Sequence, residues 1–202
     1  MKKKFLNYAL SSIHKYYPEY NEEKMEELRY GLEGFYLSTT KLIVIAILAI
    51  ILGIFKEMLI MLIMFNILRT TGFGLHATKS WICLLSSSTV FILFPILSKL
   101  ITIPTIIKTI LAVISTLCIY KYAPADTEKR PLIKKRKRDI YKIITTFTCI
   151  ILNIISLLIK NNTISNLIIF GVYTEVILIL PITYKIFHLS YNNYKNYHLQ
   201  LD

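Results

Sequence analysis

Six stretches of this 202-residue chain hold almost no charge, and the short intervals between them hold nearly all of it. The apolar runs are 34–55, 58–68, 80–97, 104–122, 140–159 and 163–187, each with at most two charged side chains. Crossing a hydrocarbon core takes about 20 mostly apolar residues. Five runs meet or approach that length. The second, 58–68, rises only about 16 Å at helical pitch, roughly half the core. Backbone amides inside lipid must be satisfied within their own segment or within a closed barrel, and uninterrupted runs of this length specify helices. The expectation is an all-α polytopic integral membrane protein with about six transmembrane helices.

Composition agrees: 54% hydrophobic and 18% charged residues exclude disorder and a collagen-like fibre, and three cysteines cannot build a disulfide framework. Residues 1–33 are polar and helix-prone, and read as one or two interfacial or cytoplasmic helices. Lys2, Lys3 and Lys4 lack the apolar core of a cleavable leader behind them. The expected organisation is therefore an N-terminal helical region 1–33, a membrane domain 34–187 and a C-terminal cytoplasmic tail 188–202.

Lysine and arginine in the connections set orientation. Residues 1–33 hold six and residues 121–142 hold nine, whereas the connections near Lys56, Lys99 and Lys160 hold few. With six spans, both basic intervals and the 69–80 connection fall on the cytoplasmic side of the cell membrane. The net charge of +12 then needs no nucleic acid, for which no motif is present. Anionic lipid headgroups at the basic loop are the expected partner.

The short second run ends in Arg69, Gly72, Gly74 and His76, an arginine, two glycines and a histidine within eight residues. Irregular backbone with ionisable groups at membrane depth marks a site, although a polar loop capping a short helix has the same composition. Cys83 follows His76 by seven residues. An imidazole that takes a thiol's proton makes it a nucleophile. On one continuous helix the two would lie about 10.5 Å apart along the axis. They can meet only if the chain turns between them, with His76 on the glycine loop and Cys83 near the start of the next helix, capped by Thr78 or Ser80. The alternative is that Cys83 is a small packing residue, the role assigned to Cys118 and Cys149 inside their apolar runs. No His or Cys has metal-ligand spacing, and neither metal nor cofactor is expected. Glu175 in the last run and Lys108 in the fourth favour a rival reading as a small peptide transporter without peptidase chemistry; they are also candidates to pair and stabilise the bundle.

Leu68-Arg69-Thr70-Thr71-Gly72-Phe73-Gly74-Leu75-His76-Ala77, followed by Trp81 and Cys83, resembles the signature of the AgrB family (accessory gene regulator B). Tyr122-Ala123-Pro124-Ala125-Asp126-Thr127 through Pro131 resembles the family's Tyr-Ala-Pro stretch, and Tyr30-Gly31-Leu32-Glu33 its segment before the first span. The resemblance implies a cysteine endopeptidase of Gram-positive quorum sensing that works as a homodimer on an AgrD-like pro-peptide. Cys83 would be the nucleophile and His76 its base, releasing the peptide's tail through a thioester and leading to a cyclic thiolactone or lactone. Arg69 would bind a carboxylate or the developing oxyanion, and Gly72 and Gly74 would admit backbone amides to the substrate. Asp126 and Glu33 are acidic positioning candidates from the matched blocks; Asp126 alternatively caps a turn. The resemblance further implies an acidic substrate tail, for which Lys129, Arg130, Lys134, Lys135, Arg136, Lys137 and Arg138 are the binding candidates.

Overall fold

The computed structural model describes residues 2–75, 80–128 and 131–195, with backbone only at Ser80 and Trp81. Among these the regular structure is helical, and an isolated parallel bridge joins Phe73 to Ala125. It divides into two compact units, Met1–Leu48 and Ala49–Asp202. In the first, α1 (Lys2–Tyr16) precedes α2 (Glu22–Ile51), and Lys2 Nζ lies 2.5 Å from the carboxylate of Glu33. The helix α2 runs unbroken from the acidic cluster through Gly34 into the first apolar run.

In the second unit α3 (Phe55–Gly72) leads to α4 (Ser80–Ser88), a π-helical segment (Thr89–Leu93) and α5 (Phe94–Leu100), which continue one another. Then follow α6 (Thr105–Tyr122), α7 (Lys135–Leu158), α8 (Asn162–Ile179) and the short α9 (Pro181–Ile186). Five helices among the described residues are long and apolar enough to cross a membrane: Glu22–Ile51, Ile82–Leu100, Thr105–Tyr122, Lys135–Leu158 and Asn162–Ile179. This is the polytopic all-α architecture the apolar runs require.

The second run is longer than its uncharged stretch suggested. The helix α3 has 18 residues and rises about 27 Å, because it absorbs the charges at both ends. Glu57 faces Lys99 at 3.5 Å, and Arg69 folds over the C-terminal end. The last run departs in the other direction. Pro181 has no N–H and holds Leu180 extended, so the helix stops at Ile179 rather than reaching 187.

The helix α8 is the centre of this unit and packs against α3, α5, α6, α7 and α9. Its buried residues circle the whole helix, as a helix enclosed by others requires. Lipid tails supply no hydrophobic drive between helices, so close packing and polar contacts must hold them. A Cβ at Gly171 would stand 3.0 Å from Met64 Cβ, so the glycine sets the approach of α8 to α3. Asn153 Nδ2 on α7 lies 3.1 Å from each of Ala112 O, Ser115 Oγ and Thr116 Oγ1 on α6. Asn166 on α8 donates to Ser98 O and Ile101 O at 3.2 and 2.7 Å. Lys108 Nζ donates to Ser165 Oγ at 2.7 Å, so its partner is a hydroxyl on α8 and not Glu175. Cys149 is fully buried beside Asn153, Cys118 packs on the same core, and none of the three cysteines is in a disulfide.

Asn153→Ala should therefore lower unfolding stability in detergent by about 1–2 kcal/mol, the upper range for an interhelical polar contact in a membrane protein. An unchanged unfolding midpoint would remove Asn153 from the forces joining α6 to α7.

Candidate active site

The chain reverses directly after α3. Phe73 and Gly74 both take positive φ, +62° and +85°, which turns three successive carbonyls back toward the helix end. Arg69, in the last turn of α3, collects them. Its Nη1 donates to Phe73 O, and its Nη2 donates to Gly74 O and Leu75 O at 3.0 and 2.6 Å. A planar guanidinium with five donors can serve several acceptors lying in an arc, which a lysine ammonium cannot match.

Two other segments hold the turn from outside. Gly74 N–H donates to Ala125 O at 2.7 Å and Ala125 N–H to Gly72 O at 3.0 Å, so the loop after α6 pairs with the turn. Leu75 N–H donates to Leu178 O at 2.9 Å. The Pro181 break makes that acceptor available: the carbonyls of residues 177 and 178 lose their helical donors, and Thr183 Oγ1 takes Ile177 O at 2.5 Å while Leu75 takes Leu178 O. The Gly74 amide is thus engaged inside the turn. At both glycines the absent Cβ makes room for neighbouring protein groups, Glu175 at Gly72 and Arg69 with Leu178 at Gly74.

Glu175 on α8 is fully buried, and its Oε2 lies 3.6 Å from Arg69 Nη1. Among the described residues neither of its carboxylate oxygens has a hydrogen-bond partner. The charge at the centre of the last apolar run therefore answers Arg69. Its position was visible in the sequence, but its partner was not.

Cys83 is the fourth residue of α4, half-buried, and its carbonyl accepts from Ser86 Oγ at 3.2 Å. The helices carrying Arg69 and Cys83 are thus separate elements joined through the glycine turn. His76, with Thr78, lies outside the described residues, as do Lys129 and Arg130. Asp126 is buried and accepts Asn193 N–H at 2.8 Å on one oxygen and Tyr194 N–H at 2.8 Å on the other. Its carboxylate caps the C-terminal segment, while Tyr184 Oη reaches its carbonyl at 3.0 Å. Glu33 belongs to the first unit, beside Lys2.

The basic stretch splits into two groups. Lys134, Lys135, Arg136 and Lys137 are exposed at the start of α7. Cations there oppose the helix dipole, so local helix energetics do not explain them. Arg138 turns inward, donating to Leu132 O and Ile133 O at 2.7 Å each and lying 4.0 Å from the Tyr194 ring. Between α6, α7 and the C-terminal segment is a polar cleft of about 360 Å³ whose walls include Lys121, Tyr122, Arg138, Asp139, Lys142, Tyr191 and Tyr194. Burial first, and then the neighbouring Tyr122, Tyr194 and Asp126, push the Tyr191 hydroxyl up to about 12. It stays a hydrogen-bond donor at neutral pH.

The model of the family described as "Accessory gene regulator B" matches residues 6–179. A "Putative AgrB-like protein" of Clostridium acetobutylicum is 35% identical over 168 residues, 83% of this chain and 80% of its own. Another of the same description, from Listeria innocua, is 33% identical and covers 88% of this chain and 87% of its own. "Accessory gene regulator protein B" of Staphylococcus aureus is 37% identical and covers 79% and 84%. No solved structure matches.

A Cβ at Gly74 would stand 2.5 Å from Arg69 Nη1 and 2.8 Å from Leu178 O, on a backbone that L-residues rarely adopt. Gly74→Ala should cost about 1–3 kcal/mol of stability, measured by unfolding in detergent. Gly34→Ala, in the interior of α2 where a Cβ meets nothing within 4 Å, is the control and should not lower the midpoint. Equal midpoints for the two variants would refute the clamped turn.

Proposed function

The chain belongs to the accessory gene regulator B family, a membrane component of quorum sensing, and on that premise we propose that it is a cysteine endopeptidase that trims and cyclises an AgrD-like pro-peptide. The supporting observation is the clamped turn itself. Arg69, Ala125 and Leu178 hold the backbone through Leu75, the residue before His76, while Cys83 stands in the first turns of the helix that begins at Ser80. A backbone held firmly up to the residue before the base, with the nucleophile on the helix that follows, suits chemistry that depends on their proximity.

In this reading His76 takes the Cys83 proton and the thiolate attacks the carbonyl at the cleavage site. The tetrahedral intermediate collapses as the imidazolium protonates the leaving amine, which frees the C-terminal tail and leaves the peptide as a thioester on Cys83. An internal thiol or hydroxyl of the peptide then attacks that thioester, the cyclic product departs, and the Cys83 thiol is restored. Making a thioester from an amide is uphill, so removal of the tail or of the product must draw the reaction forward. Ring closure must also outrun hydrolysis, which proximity and exclusion of water favour. Arg69 belongs to the scaffold in this scheme, because its donors already hold three carbonyls. The charges that favoured transport, Glu175 and Lys108, are each engaged inside the bundle.

The turn after α3 and the loop after α6 lie at the same end of the bundle, which suits a cytoplasmic site beside the basic stretch. Lys134, Lys135, Arg136 and Lys137 would steer an acidic tail, with Lys121 and Lys142 of the cleft behind them; the same edge would meet anionic lipid. A homodimer is part of the same proposal.

Co-expression with the pro-peptide and mass analysis of the products tests the reading. Cys83→Ala and His76→Ala should abolish cleavage, whereas Cys118→Ala and Cys149→Ala should retain it. Cleavage at the wild-type rate by Cys83→Ala would end the proposal. Glutamine at 134, 135, 136 and 137 together should raise KM with little change in kcat, and the difference should shrink at high salt. Arg138 is left intact because it supports the fold. A quadruple variant with wild-type KM at low salt would reduce the stretch to a topology signal.

A further inference from the structure

Among the described residues of the second unit, the buried carboxylates are Asp126 and Glu175. Backbone N–H groups occupy both oxygens of Asp126. Glu175 is different: it is fully enclosed, neither oxygen is hydrogen-bonded by a described residue, and Arg69 is a charged neighbour at 3.6 Å. Burying a carboxylate without donors is costly, and a well-packed apolar side chain of similar volume would stabilise the bundle at least as well. Bundle stability therefore does not account for a carboxylate at this position.

Its surroundings do. A Cβ at Gly72 would collide with Oε1 of Glu175 and come within 3.2 Å of its Cδ, so glycine at 72 gives the carboxylate its place against the end of α3. One helical turn further along α8, Leu178 O receives the N–H of Leu75. The helix thus grips the reversal twice, by charge through Arg69 and by backbone at Leu75. Between the two grips lie the three carbonyls that the guanidinium collects.

We infer that Glu175 is a positioning residue for the Cys83 reaction: it fixes the Arg69 guanidinium, and through it the Phe73–Leu75 turn that precedes His76. This rests on the peptidase reading above. Without the carboxylate, Arg69 still bonds the carbonyls but loses the charge that selects one orientation of its fork. The turn then samples several geometries. Misplacement on the order of 1 Å between reacting groups lowers turnover roughly 100-fold while substrate binding, which uses other surfaces, is largely kept.

The test uses full-length protein in proteoliposomes, reconstituted only from the monodisperse fraction of a size-exclusion column so that misfolded protein is not counted, with kcat expressed per protein in that fraction. Glu175→Gln, which keeps the size and removes the charge, should lower kcat roughly 100-fold with KM within about 3-fold of wild type. Glu175→Asp should recover part of the loss. Glu57→Gln, which removes the carboxylate that faces Lys99 at the opposite end of α3, should keep wild-type kcat. Because Glu175 acts through Arg69, the double variant Arg69→Gln/Glu175→Gln should be no slower than the slower single variant. Additive losses, or a Glu175→Gln enzyme with wild-type kcat beside an inactive Cys83→Ala, would overturn this inference alone. Cleavage by Cys83→Ala would instead remove the peptidase reading beneath it.

Discussion

One guanidinium organises the end of this bundle where three chain segments meet. Arg69 faces three carbonyls that a reversing backbone has turned away from any helical donor, and it faces a buried carboxylate from the central helix. In a medium without water each of those carbonyls would otherwise lack a partner, at a cost of a few kcal/mol apiece. The turn at Phe73–Leu75 can therefore stay out of water only with such a group beneath it. Two residues with positive φ and the close approach of α8 at Gly72 belong to the same arrangement.

The other supports come from breaks in regular structure. Pro181 ends α8 early and leaves carbonyls that a side chain and a distant amide take up. The segment Ala123–Asp126 leaves α6 and offers Ala125 to both sides: its N–H and C=O pair with the turn, and Tyr184 Oη also reaches its carbonyl at 3.3 Å. Asp126 then ties the C-terminal segment to the same place. Each irregularity satisfies another, which is how non-helical backbone is kept inside a membrane protein. The rest of the unit is held more plainly, by small residues and by asparagine and serine contacts between helices.

The cations at the start of α7 stand apart from this economy. They oppose the local dipole, are exposed, and with Lys129, Arg130 and Lys142 outnumber what orientation in the membrane needs. Arg138 alone among them turns inward to hold the loop that leads to α7. Neighbouring residues of one charge thus divide between a fold-supporting member and members that stay exposed, a division that only side-chain direction reveals.

What the amino-acid order determined by itself was everything that depends on local composition. The apolar runs specified membrane helices because a spanning segment must bond its own backbone. The Arg-Gly-His-Cys spacing marked a candidate site because ionisable groups and glycines are costly in an apolar segment. The matched blocks identified the family before any fold was known. Tertiary structure decided which groups answer one another. Lys108 bonds Ser165 rather than Glu175, and Asp126 caps residues 193 and 194, because pairing across helices depends on how each helix is rotated and where it stops. The length of α3 was hidden for the same reason: its terminal charges look like the end of a span until Lys99 and Glu175 are seen to receive them. A residue's own segment announces its cost, but the group that offsets that cost comes from elsewhere in the chain and is placed only by packing.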